Sequence, residues 1–181
     1  MRSIYLPPFR IDIDRRPATA RVTADAGLAR AVARALDVAG APIPASVGLT
    51  LTDDAVLAEL NVRHMGKDGP TDVLSFPILP ADAFPANTGV NAAFPLPPGV
   101  RQPLGDVVVS VERAIEQAET GRGGQTGDIR WSPADELLLL VTHGTLHLCG
   151  WDHAEPQDEA AMRALEQQLL AGTAQTRARR N

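Results

Sequence analysis

The sequence predicts an α+β fold: a single domain whose small mixed β-sheet packs with helices around a central, histidine-bearing helix. Three observations predict it. Short runs of alternating apolar residues recur at 10–16 and 47–51, the period of half-buried strands. Between them lie segments whose apolar residues share one helical stripe, so strands and helices are interspersed. One segment, Ser132 to Leu148, is apolar on every side, which sets a helix in the middle of a domain rather than on its surface.

Residues 10–16 alternate apolar with charged and read as the first strand. From Gly27 to Val38, Leu28, Val32, Leu36 and Val38 lie roughly along one stripe of a helix. A second strand carries Val47, Leu49 and Leu51, and Thr52-Asp53 then offers an N-cap for a helix carrying Val56, Leu57 and Leu60. Pro70 restarts the chain in extended form, and Val73-Leu74-Ser75-Phe76 reads as a third strand. Residues 77–103 hold seven of the fifteen prolines and show no period, so a long irregular loop is expected. Gly105 to Ser110 reads as a buried strand, followed by a helix carrying Ala114, Ile115 and Ala118 and by a Gly-rich turn at 121–127. Ser132 is placed to cap the central helix and Pro133 suits its first position, while Gly150 stops it. Met162, Leu165 and Leu169 mark a last helix, and 172–181 reads as a loose basic tail.

A length of 181 residues fits one domain over 1–181. The single Cys149 cannot form an intramolecular disulfide, which sets aside the stapled secreted class and fits a reducing, cytoplasmic location. The longest apolar run, Leu137 to Val141, is far short of the ~18–20 residues that span a bilayer. The first eight residues lack the apolar stretch of a signal peptide. A net charge of −5 gives no broad footprint for nucleic acid, so a role on RNA rests on local basic residues.

The chemistry concentrates in eleven residues, His143-Gly144-Thr145-Leu146-His147-Leu148-Cys149-Gly150-Trp151-Asp152-His153. On a helix, His143 and His147 project from one face a turn apart, within reach of one metal ion at the ~2.0–2.1 Å of a zinc–nitrogen bond. A third ligand needs the chain to turn, and Gly150 permits the left-handed conformation that swings His153 back toward the pair. Three neutral imidazoles leave a fourth tetrahedral position for water, the arrangement of a catalytic zinc. Any one of these histidines alone would more simply be structural; three with the turn glycine between them point to a metal.

The spacing is metzincin-like, H-E-x-x-H-x-x-G-x-x-H, with one difference. Gly144 stands where those peptidases carry the general-base Glu, and a glycine takes no proton. Glu136 lies seven residues before His143, ~10 Å along the axis, too far to replace it. The metal is kept and the peptidase base is lost.

The segment from His143 to His153 resembles the H-G-x-L-H-L-x-G-[YW]-D-H signature of the YbeY endoribonucleases. The likeness extends to Pro70–Pro77, to Leu60-Asn61, to Gly105–Ser110, and to Met162 and Glu166 in the final helix, roughly residues 47–170. It implies zinc-dependent cleavage of single-stranded RNA, in maturation of the small-subunit rRNA 3′ end and ribosome quality control. One zinc per chain would be held by His143, His147 and His153. The implied partners are single-stranded rRNA, the small ribosomal subunit and ribosome-associated proteins, with neither DNA nor membrane involved. Many members carry an arginine before the P-T-D-V-L-S-F-P strand; here that position is Met65. The cationic helper is therefore expected at Lys67 or Arg63.

Other residues are candidates beside these. Asp152 could orient an imidazole or shuttle a proton, or simply cap the next helix. Asp72 and Ser75, three apart on a strand, point to opposite faces, so at most one lines the cleft. Asp106 reads as a residue bonding at a strand start, Cys149 as a buried thiol, and His64 as a surface or groove residue placed to stack on a base. Two other functions share the metal motif: a metallopeptidase-like hydrolase, and a zinc-stabilised ribosome assembly factor without enzyme activity.

Overall fold

The structure, a computed structural model, describes residues 1–84, 97, 99–120, 132–152 and 155–178, with side chains described as far as residue 171. Five strands form one mixed sheet: β1 (Arg2–Leu6), β2 (Phe9–Arg15), β3 (Ala45–Thr52), β4 (Val73–Pro77) and β5 (Gln102–Ser110). Their spatial order is β1-β2-β3-β5-β4. The central pairs β2–β3 and β3–β5 are parallel, and both edge pairs, β1–β2 and β4–β5, are antiparallel. The helices are α1 (Asp25–Val38), α2 (Asp54–Met65), α3 (Val111–Thr120), α4 (Pro133–Leu148) and α5 (Pro156–Ala178).

The start and stop signals act as their chemistry predicts. The Asp53 carboxylate accepts from Val56 N–H at 3.0 Å and opens α2, and Gly66 closes it in the left-handed region at φ 64°. Ser132 and Asp135 form a reciprocal capping box at α4, with Pro133 just inside. At its other end Trp151 N–H reaches Leu146 C=O and Gly150 N–H reaches His147 C=O, with Gly150 at φ 79°, a Schellman closure.

The two faces of the sheet carry different layers. Val107 and Val109 join the main core with Ile11, Ile13, Leu49 and the inward residues of α1, α3 and α4. Val108, one residue out of phase, joins Leu74, Leu57, Leu60 and Phe76 under α2. Successive strand residues face opposite ways, and among the described helices α2 is the one that packs on the second face. Helix α5 packs outside the first layer, with Met162 against Ala35 and Leu146.

Four details depart from the sequence reading. β1 was not expected: it is an edge strand with only Ile4 and Leu6 half-buried, too little alternation to register before Pro7-Pro8. β5 starts at Gln102, so the irregular stretch is shorter than 77–103; a bulge at Leu104, where Gly105 takes φ 136°, absorbs the missing N–H of Pro103. The beginning of that stretch is built into the core, through a 3-10 turn at Ala81–Ala83 and buried Leu79, Ala83 and Phe84. The last helix runs on to Ala178 where a loose tail from 172 was expected; Ala174, Gln175, Arg177 and Ala178 favour the helix and outweigh Gly172 and the two threonines. The Gly-rich turn at 121–127, residues 85–96, and the arginines 179 and 180 lie outside the described residues.

α4 is central, as its all-round apolarity predicts: eleven of its residues are buried, Leu138 and Leu148 among them. Leu138→Ala and Leu148→Ala are each expected to lower stability by about 2–5 kcal/mol in denaturant unfolding. Changes below ~0.5 kcal/mol at both positions would make α4 peripheral.

Candidate metal centre

The C-terminal half of α4 is sealed except along one stripe. His143, His147 and Gly150 are half-buried, while Gly144, Thr145, Leu146, Leu148 and Cys149 are buried. Both rings stand on the same side of Gly144, because residues 143 and 147 lie about 100° and 60° round the helix from it in the same sense. Their Nε2 atoms converge to 3.1 Å, with ring centroids 4.5 Å apart at 80°. Two nitrogens at ~2.05 Å on a tetrahedral zinc are about 3.3 Å apart. The pair is therefore spaced as one edge of such a polyhedron.

The other nitrogen of His143 is held from α5. Its Nδ1 lies 2.6 Å from Glu166 Oε1, and Glu166 is only 9% exposed. The sequence reading matched Glu166 to the family's last helix and assigned it no contact. A signal was present: Glu166 is four residues after Met162, on the same stripe as Leu165 and Leu169, so an acid sits on the apolar face.

Gly144 faces the sheet. A Cβ there would come 2.7 Å from Val107 Cγ1 and 2.8 Å from Val73 Cγ2. The Ser75 hydroxyl donates to Gly144 C=O at 2.8 Å, which ties edge strand β4 to the helix one residue from His143. Of the pair Asp72 and Ser75, Ser75 faces α4. Asp72 instead accepts from Gln117 Nε2 at 3.1 Å and binds β4 to α3.

The remaining candidates fall in three places. His153 lies outside the described residues, and Asp152, just before it, is exposed. Among the described residues no three His, Cys, Asp or Glu donors close round a common point. Arg63 on the last turn of α2 and Lys67 just past Gly66 are exposed; α2 covers the face of β4 opposite to α4, so these cations reach the histidines only around the edge of the sheet. His64 packs edge-on against Phe76 at 5.0 Å. Asp106 sits within β5, not at a strand start, with its carboxylate over Gly48 of β3. Cys149 is fully buried, and burial pushes its thiol up to about 12, leaving an inert side chain. Among the described residues no helix is long and apolar enough to cross a membrane.

Comparison with known proteins matches the chain to a family. The family model "Endoribonuclease YbeY" matches residues 13–174. A Salinispora tropica protein of that name is 46% identical over 161 residues, covering 88% of this chain and 94% of its own. One from Symbiobacterium thermophilum is 42% identical over 146 residues, covering 79% and 82%. The solution structure of TM1509 from Thermotoga maritima shares the fold at a TM-score of 0.55 and 22% identity, covering 93% of each chain. With the family model spanning most of its length and relatives of 42–46% identity matched over about four fifths or more of it, the chain belongs to the YbeY endoribonuclease family.

Proposed function

We propose that the chain is a zinc-dependent endoribonuclease that cuts single-stranded RNA in the cytoplasm, with the small-subunit rRNA as substrate, and that its single domain carries the whole activity. The observation that carries the metal assignment is the convergence of His143 and His147 Nε2 to 3.1 Å, the spacing of two nitrogens on one tetrahedral ion. His143, His147 and His153 are the ligands in this reading, a metzincin-like set with the chain turned back at Gly150. Bound there, zinc supplies positive charge to a phosphate oxygen and lowers the pKa of a water toward ~7.

The chain's own groups do the rest. α4 holds the imidazoles on a buried helix whose C-terminal half, among the described residues, is open only along their stripe. Asp152, the neighbour of the third ligand in the chain, orients its ring or takes a proton in this reading. Lys67 and Arg63 are the cations for the phosphate charge, and RNA passes them as it rounds the edge of β4 toward α4. Lys67 stands on the loop after Gly66 and is carried past the helix end, whereas Arg63 sits on the last turn of α2. Lys67→Ala is therefore expected to lower kcat/KM more than Arg63→Ala, each by about 1–3 kcal/mol at most, with zinc content unchanged. Parental rates in both variants would move the RNA path elsewhere.

The edge of β4 speaks against a peptidase. Ladder bonds from Ser110 N–H to Asp72 C=O and from Ile78 N–H to Leu104 C=O turn the even-numbered residues toward β5. The backbone N–H and C=O groups of Val73, Ser75 and Pro77 point outward in the sheet plane, away from β5. Val73 donates its N–H to the Asp72 carboxylate at 2.9 Å and Pro77 has none, so a peptide laid along this edge meets a single backbone donor, that of Ser75. Gly144, pressed on Val73 and Val107, has no room for the missing base. Incubating the zinc-loaded protein with labelled single-stranded rRNA and with casein separates the readings, His147→Ala controlling for contaminating nuclease. RNA cleavage alone supports an endoribonuclease. Casein cleavage alone supports a peptidase, and neither, with pre-ribosome binding kept, an assembly factor.

A further inference from the structure

Glu166 is a carboxylate on α5, a helix that packs on α1 and α4 through an otherwise apolar contact of Met162, Leu165 and Leu169. Placing an acid on such a face is unfavourable unless it is bonded, and its bond is to His143 Nδ1 at 2.6 Å, twenty-three residues away in the chain. Taken with Glu166 as the acceptor, the usual sense of a carboxylate–imidazole bond, Nδ1 carries the proton. A neutral imidazole protonated on Nδ1 has its lone pair on Nε2, and His143 Nε2 is the atom that meets His147 Nε2 at 3.1 Å. Without Glu166 the ring can flip, which sets Cε1–H in place of Nε2, or take the other tautomer, which turns an N–H toward His147; either change removes the lone pair from that position.

We propose that Glu166 is a positioning residue of the metal centre: it fixes the tautomer and rotation of His143 so that Nε2 presents its lone pair, and it thereby couples docking of α5 to metal binding. This rests on the zinc reading above, but its first half concerns the metal-free protein. Because coupling is reciprocal, zinc should hold α5 down as strongly as docked α5 helps hold zinc. The final helix is then part of the site even though it supplies no ligand to the ion.

The test uses the full 181-residue chain with Glu166→Gln, which keeps an acceptor of the same shape, and Glu166→Ala, which removes it. In the metal-free proteins, nitrogen NMR of the imidazoles is expected to show His143 protonated on Nδ1 in the parent and in Glu166→Gln, and a mixture of tautomers in Glu166→Ala. Zinc affinity, read by competition with a chromophoric chelator, should fall about 10–100-fold in Glu166→Ala and by less in Glu166→Gln. Zinc should slow amide exchange across residues 156–171 in the parent and lose that effect in Glu166→Ala. A folded Glu166→Ala protein that binds zinc within twofold of the parent, with His143 still protonated on Nδ1, overturns the proposal. If Glu166→Ala does not fold, a Glu166→Gln protein with parental affinity and a lone pair on Nδ1 overturns it equally. A parent that binds no zinc overturns the metal reading instead, and the tautomer comparison alone then decides whether Glu166 positions His143.

Discussion

Replacing Gly144 with glutamate, the change that would restore the peptidase motif, is expected to unfold the protein rather than to create a peptidase. A Cβ at 144 would stand 2.7 Å from Val107 Cγ1, 2.8 Å from Val73 Cγ2 and 3.2 Å from Ser75 Oγ, all on strands that cannot retreat without lifting the sheet from α4. A glutamate would also bring a carboxylate into this contact with no room to reach water. The expected cost exceeds ~4 kcal/mol, a large share of the 5–15 kcal/mol that holds a domain together. Gly144→Ala adds the Cβ alone: an overpacking cost of about 1–3 kcal/mol set against about 1 kcal/mol of regained helix propensity. Denaturant unfolding of both variants checks this. A Gly144→Glu protein with parental stability would show that α4 does not rest on β4 and β5 as described.

The second large effect is expected at the histidines. His147→Ala leaves His143 and at most one other imidazole, and a zinc site with two protein ligands is weak. Zinc should be lost on gel filtration, by more than the ~10–100-fold that follows loss of an outer partner, and RNA cleavage should fall with it. His147 is half-buried and faces solvent, so the melting temperature of the metal-free protein should move little. Elemental analysis beside a thermal melt separates lost metal from lost fold. Full zinc occupancy in His147→Ala would end the assignment.

How much of this was legible in the sequence depends on whether a feature is local. The caps at Asp53 and Ser132 and the stop at Gly150 are contacts within a few residues, and they stand where the sequence reading put them. The pairing of His143 with His147 is likewise a matter of helix pitch. What could not be read were relations across the chain. Periodicity shows that α2 has an apolar stripe but not which face of the sheet it covers, so Arg63 and Lys67 could not be placed relative to His143. The contact from Glu166 to His143 spans two helices, and only an acid on an apolar stripe hinted at it. β1 escaped because an edge strand needs little apolar alternation to be held by β2.

Among the described residues no strand pairs with the outer side of β4, and this has a consequence for the protein's behaviour at high concentration. A sheet edge with regular donors and acceptors is a template on which a second copy can add a strand, and then a third. Here Val73 spends its N–H on Asp72 and Pro77 has none to give, so strand addition at β4 would begin with most of its donors missing. The other edge, β1, has no proline within Arg2–Leu6 and lies mostly exposed. Of the two ends of the sheet, β1 is therefore where ordered self-association would start on heating or crowding. Charge or proline introduced into β1 should do more to keep the protein dispersed than any change along β4.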